Sequence, residues 1–153
     1  MYDICFINGI EKVVAQPGIV VQMDLDMRGV TGGGSIIADM QKLAQRFVKM
    51  LMTEQGTVLF RETEGCGFMT AVKQGRLRTS ADVSQTFASA MMDIRRQFSL
   101  QTLDADTPTD RLQNAELIGS SINDGRLVLS VRLLTLAGET PVISVSLPTL
   151  PRR

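Results

Sequence analysis

The apolar positions are most regular late in the chain, where Leu127, Leu129, Val131 and Leu133 occupy alternate places. Arg126, Ser130 and Arg132 lie between them, with Val128 and Leu134 interrupting the polar side. Alternation of this length predicts a strand with one face in a core. Asp124 and Gly125 precede it and suit a tight hairpin, since both residue types tolerate positive φ. Ala137, Gly138 and Glu139 read as a second turn, after which Ile143, Val145 and Leu147 alternate with Ser144 and Ser146. The pattern predicts a three-stranded antiparallel meander over residues 112–122, 126–136 and 140–147. Pro148 and Pro151 forbid its continuation as a central strand.

Upstream the period becomes helical. Ile36, Met40, Leu43, Phe47 and Leu51 form one stripe, flanked by Ala44 and Val48, and predict a helix over 36–53 that Gly56 ends. Lys42, Gln45, Arg46 and Lys49 are expected on its solvent face, and Met40, Met50 and Met52 suit core filling. A short helix is expected at 67–73. Thr79 and Asp82 form a capping box, with Asp in place of Glu, that opens a helix over 80–100 on Val83, Phe87, Ala90, Met91, Ile94 and Phe98. These elements predict an α+β fold, two main amphipathic helices and a short one packed on the C-terminal meander.

The first residues are of another kind. Tyr2, Ile4 and Phe6 alternate with Asp3 and Cys5, and Val21, Met23, Leu25 and Met27 alternate with Gln22, Asp24, Asp26 and Arg28. Stretches 2–7 and 18–27 are therefore expected to be extended, either as two further strands or as an arm that pairs with another protein. Gly32, Gly33 and Gly34 read as a flexible joint capped by Ser35, without the Gly-Lys-Ser/Thr ending of a phosphate-binding loop. The expected division is an extended segment over 1–34, an α+β domain over 35–147 and a tail over 148–153. Such a joint predicts that a chain beginning at Ser35 keeps nearly all of its stability.

Composition narrows the chemistry. A chain of 153 residues suits one domain with a real core, and a formal charge of zero gives no electrostatic case for nucleic acid or an acidic membrane. No apolar run approaches the ~18–20 residues that span a bilayer, and the first residues lack the basic start and apolar stretch of a secretory signal. There is no histidine, which removes the commonest general base and most transition-metal sites. Cys5 and Cys66 are expected to be buried thiols in a reducing compartment rather than a disulfide. No catalytic residue, cofactor or metal ligand is expected.

Three groups could still carry chemistry. Glu62 and Glu64 are the close carboxylate pair of a glycine-bearing loop and could act as a glycosidase acid and nucleophile, although solvated loop acids are the commoner case. Cys66, between Gly65 and Gly67, reads as a small residue filling a tight turn rather than a reactive thiol. Lys73, Arg76 and Arg78 cluster around Gly75 without the interleaved aromatics that stack on bases, which favours a solvated or partner-facing loop.

The order of a helix, a glycine-containing loop, a second helix and a meander entered at an arginine resembles a known family. It is the small baseplate wedge protein, or sheath initiator, of contractile phage tails, which has relatives in the type VI secretion baseplate. The resemblance covers residues 36–147 and rests on Gly56 closing the first helix, Phe60, the Gly65-Cys-Gly67 turn, and Arg111 at the meander entrance. Arg111 stands for the arginine of the family's Glu-Pro-Arg element, with Asp110 as its acidic neighbour.

The resemblance implies a structural protein of the virion tail baseplate, assembled in the bacterial cytoplasm. It would join other baseplate wedge proteins to the first ring of tail sheath protein, near the tail hub and tube proteins. No nucleic acid or membrane is implied. Its meander would template the sheath by strand addition. Asp110 and Arg111, with the polar meander residues Arg126, Ser130, Arg132, Ser144 and Ser146, are the partner-binding candidates. For Arg111 the alternative is an internal salt bridge to Asp110 or Glu116. The rival function is a lysozyme-like cell-wall hydrolase, also attributed to this family, resting on Glu62 and Glu64.

Overall fold

Strand β5, Arg126–Thr135, is the middle strand of the C-terminal meander, and its alternate apolar side chains give it one buried face. Leu127, Leu129, Val131 and Leu133 are all fully buried. In this computed structural model, residues 3–4, 13, 20–23, 36–37, 39–101, 108, 111–123 and 125–149 are described. The remaining strands are β1 Asp3–Ile4, β2 Val20–Met23, β3 Ile36–Ile37, β4 Leu112–Asn123 and β6 Val142–Pro148. The helices are α1 Asp39–Met52, α2 Phe68–Lys73 and α3 Ser80–Leu100. The chain is thus α+β, with the expected C-terminal meander.

β4 and β6 flank β5 antiparallel, and Gly125 (φ 78°) and Gly138 (φ 86°) provide the positive φ angles of the two turns. Ile143, Val145 and Leu147 on β6 are fully buried beside the β5 apolar residues. The helices cover this inner face. Phe47 of α1, Phe68 of α2 and Phe87 of α3 meet within the shared core, each of the first two 6.4 Å from Phe87 between ring centroids, Phe68 edge-on.

Two expectations about α1 need correction. The helix starts at Asp39, whose left-handed φ of 52° breaks the spiral, and Ile36–Ile37 pair instead with Asp3–Ile4. Lys42 and Gln45, expected in solvent, are buried. Residues 42 to 45 are all covered, so this turn is enclosed on more than the apolar stripe, and neither polar side chain is left without a partner. A lysine can bury its aliphatic stem in such a place.

The N-terminal segment also contributes more than a glycine joint suggests. β2 adds to the free side of β6 in parallel, Val20 opposite Val142 and Met23 opposite Val145, giving the sheet order β2-β6-β5-β4. Val13 is 2% exposed and belongs to the main core. A chain beginning at Ser35 loses both, which reverses the expectation of nearly intact stability. Burial of one valine contributes about 1.5–3 kcal/mol. Calorimetry on that truncated chain should show a Tm lower by about 4 °C or more. Gly32, Gly33 and Gly34, the expected joint, and Cys5 lie outside the described residues.

The capping box forms as expected at the start of α3. The Thr79 hydroxyl accepts from the Asp82 N–H (3.2 Å), while the Asp82 carboxylate accepts from the N–H groups of Thr79 (3.0 Å) and Arg78 (3.2 Å). Those backbone donors hold the Asp82 carboxyl below the usual carboxylate range. A carboxyl lowered on folding stabilises fully above its unfolded pKa of about 3.9 and stops doing so as pH falls through its folded value. Urea titrations should therefore show wild type losing its advantage over Asp82→Ala as pH drops below about 4.

Candidate functional site

The sheet has a helix-covered face and an outer face, and strand alternation decides which residues reach the second. Arg126, Val128, Ser130, Arg132 and Leu134 fall there from β5, interleaved with the buried positions. From β6 come Val142, Ser144 and Ser146. Ser130 is directly opposite Ser144, Ser146 opposite Val128, and Arg132 opposite Val142. The sequence-predicted candidates Arg126, Ser130, Arg132, Ser144 and Ser146 are thereby brought together on one surface. It is low in relief, because serines and valines dominate it and Gly119 of β4 lies opposite Ser130. Arg132 pairs with Glu116 across the strands at 3.4 Å, both largely exposed, a contact of about 0–1 kcal/mol.

Arg111 sits apart, immediately before β4. Its carbonyl accepts from the Leu136 N–H at 3.0 Å, which fixes the backbone at the end of the sheet. Its side-chain Nε is buried with no hydrogen-bond partner among the described residues. Glu116, one of the two acids expected to neutralise it, is engaged by Arg132 instead; Asp110 lies outside the described residues. A second buried orphan, Oε2 of Glu139, occurs at the same end of the meander. There the Glu139 N–H donates to the Thr135 hydroxyl and its carbonyl accepts from the Thr135 N–H, both at 3.0 Å. An orphaned buried polar atom is destabilising unless something else satisfies it. Sequence reasoning missed Glu139 because its turn position looks solvated.

The two edges of the sheet differ. Among the described residues nothing pairs with the far side of β4, whose register slips between Leu112 and Asn114 and between Leu117 and Gly119. Such irregularities deter strand addition. β6 is regular, and its outer side already carries β2 alongside Val142 to Val145. β6 is thus an interior strand, and the outermost strands of the sheet are β2 and β4.

Glu62 is exposed and Glu64 pairs with Arg61 at 3.3 Å, so neither has the apolar enclosure that an acid catalyst needs. Cys66 is a free, buried thiol that donates to the carbonyls of Met50 and Leu51 at 3.6 Å; burial pushes its pKa up. Lys73 pairs with Glu54 at 2.8 Å, and Arg76 and Arg78 are exposed. Among the described residues no three His, Cys, Asp or Glu side chains could hold a metal ion, and no helix is long and apolar enough to cross a membrane.

One constructed feature escaped the sequence reading. The loop between α1 and α2 is pinned at its neck by a bridge between Glu54 and Cys66 and by buried Gln97. Gln97 accepts from the Gly65 N–H at 2.8 Å and donates to the Gly65 carbonyl at 2.6 Å. Successive turns closed by Thr57, Arg61 and Glu64 N–H groups carry the loop outward to Leu59 and Phe60. Gln97 follows Ile94 by three residues on the buried stripe of α3, and that spacing was the available signal.

Compared with family models, with curated proteins and with solved structures, the chain finds no match in any of the three.

Proposed function

We propose that this protein is a structural component of a contractile phage tail baseplate. It joins the wedge proteins to the first sheath ring and templates sheath assembly by strand addition to its meander. The observation that carries this reading is β2 lying on the outer side of β6, so that the meander takes up an extended segment from the opposite end of the chain. Main-chain pairing of this sort makes little demand on sequence and serves a protein that organises strands from its neighbours. The order of motifs around Gly56, Phe60, Gly65 and Arg111 supports the same assignment by resemblance.

Within that reading Arg111 is the anchor for a wedge partner. A guanidinium offers five donors in a planar fork, suited to a carboxylate or to carbonyls at a helix end, and here its Nε has no partner among the described residues. Truncating one partner of a buried interfacial charge pair costs about 2–5 kcal/mol of binding. Arg111→Ala should therefore leave the Tm of the isolated protein almost unchanged while abolishing its incorporation into tails. Arg111→Lys should rescue poorly, since an ammonium cannot present two parallel donors. Complementing a phage that lacks the gene, then counting sheathed tails by negative-stain microscopy, tests both statements. Normal tail numbers with the alanine variant would remove Arg111 from the interface.

A further inference from the structure

We propose that the loop tip of one copy, Leu59 and Phe60, seats in the groove between α3 and β4 of a second copy, making a head-to-tail contact. The inference stands apart from the baseplate reading and rests on a knob and a groove that the same chain carries in different places.

The knob is exposed and held out. Phe60 is 93% exposed and Leu59 78% exposed. Phe60 also has φ of 64°, a left-handed conformation that bulky residues rarely adopt. A strained backbone at an exposed aromatic persists only because the surrounding structure imposes it, and such strain concentrates at functional places. Phe60 is third in the turn Val58–Arg61, closed by the Arg61 N–H to Val58 carbonyl bond at 3.1 Å, above a neck held by the Glu54–Cys66 bridge and the Gln97 clamp on Gly65. A tip fixed in this way loses little freedom when it docks.

The groove is its chemical complement. It has a volume of about 370 Å³, ample for a phenyl ring, and Phe87, Met91, Met92 and Leu117 line it together with the polar Ser84 and Asn114. Methionines adapt to an inserted ring and make favourable sulfur–aromatic contacts. Met92 is 76% exposed, a large apolar side chain left open beside the groove. Charge favours a second copy as the occupant. Arg95 lines the groove and is exposed, and exposed Glu62 follows the knob by two residues. Docking the knob brings the acid of one molecule towards the cation of the other.

Phe60 is almost wholly exposed in its own molecule, so its own groove is not what it fills. Knob and groove are different patches, and the contact is therefore heterologous, propagating into a ring or a chain of copies.

Sedimentation velocity on the full chain over a dilution series tests this. Wild type should exceed its monomer mass of 16.7 kDa increasingly as concentration rises. Phe60→Asn, which tolerates the left-handed backbone, and Met92→Glu, at an exposed position, should each remain monomeric with an unlowered Tm. An equal mixture of these two variants should form a dimer and nothing larger, because it holds one intact knob facing one intact groove. A wild type that stays monomeric throughout, a Phe60→Asn chain that associates like wild type, or a mixture that stays monomeric would overturn the proposal.

Discussion

Leu129→Asp should lower the stability of the isolated protein by about 4 kcal/mol or more, while Ser130→Asp, the next residue, should change it by less than about 0.5 kcal/mol. Leu129 is fully buried in the middle of β5, between Ser120 of β4 and Val145 of β6. Aspartate there removes leucine packing and puts a carboxyl where no donor of the inner face awaits it. Neutralising the carboxyl by protonation lessens the second penalty but leaves the first. Ser130 points to the outer face, where a charge remains hydrated, with Ser144 and Gly119 opposite. For a chain of this size the first change corresponds to a Tm drop of about 8–16 °C. Equal shifts in the two variants would mean that the side-chain alternation of β5 has been assigned to the wrong faces.

Gly65→Ala should cost about 3 kcal/mol, and Gly67→Ala almost nothing. Gly65 has φ of 97°, and a Cβ there would run into the Thr53 carbonyl oxygen. The residue cannot move aside, since both its N–H and its carbonyl are bonded to the Gln97 side chain and the Cys66 N–H is bonded to Thr53 at 2.9 Å. Gly67 has an ordinary φ of −84° and open space where its Cβ would go. The pair separates the requirement for glycine at the loop neck from a general preference for small residues there. Chemical denaturation of the two variants against wild type reads the difference directly. Similar losses for both would show that the neck is not held as described.

The meander was legible because strand alternation is local. Leu127 to Leu133 and Ile143 to Leu147 each announce a buried face without knowledge of any partner. The start of α3 was legible for the same reason, its cap being written within Thr79 to Asp82. What the pattern could not supply was pairing at a distance. The alternation around Val21 and Met23 pointed to an extended segment, but its place on β6 depends on residues far along the chain. The burial of Lys42 and Gln45 was hidden likewise, since a helix enclosed on several sides no longer obeys a one-stripe pattern. Of the candidate surface, alternation alone places Ser130, Arg132, Ser144 and Ser146 on one face. The orphaned polar atoms of Arg111 and Glu139 depend on tertiary packing and leave no mark in the sequence.

Affinity capture tests most directly whether the protein bridges wedge and sheath. The full chain, tagged and supplied to cells producing the phage, should bring down the tail sheath protein and the larger wedge proteins, identified by mass spectrometry. The Arg111→Ala variant should lose the wedge proteins from the same capture. Recovery of the wild-type chain with neither sheath nor wedge proteins, under conditions where assembled tails are present in the lysate, would contradict the account.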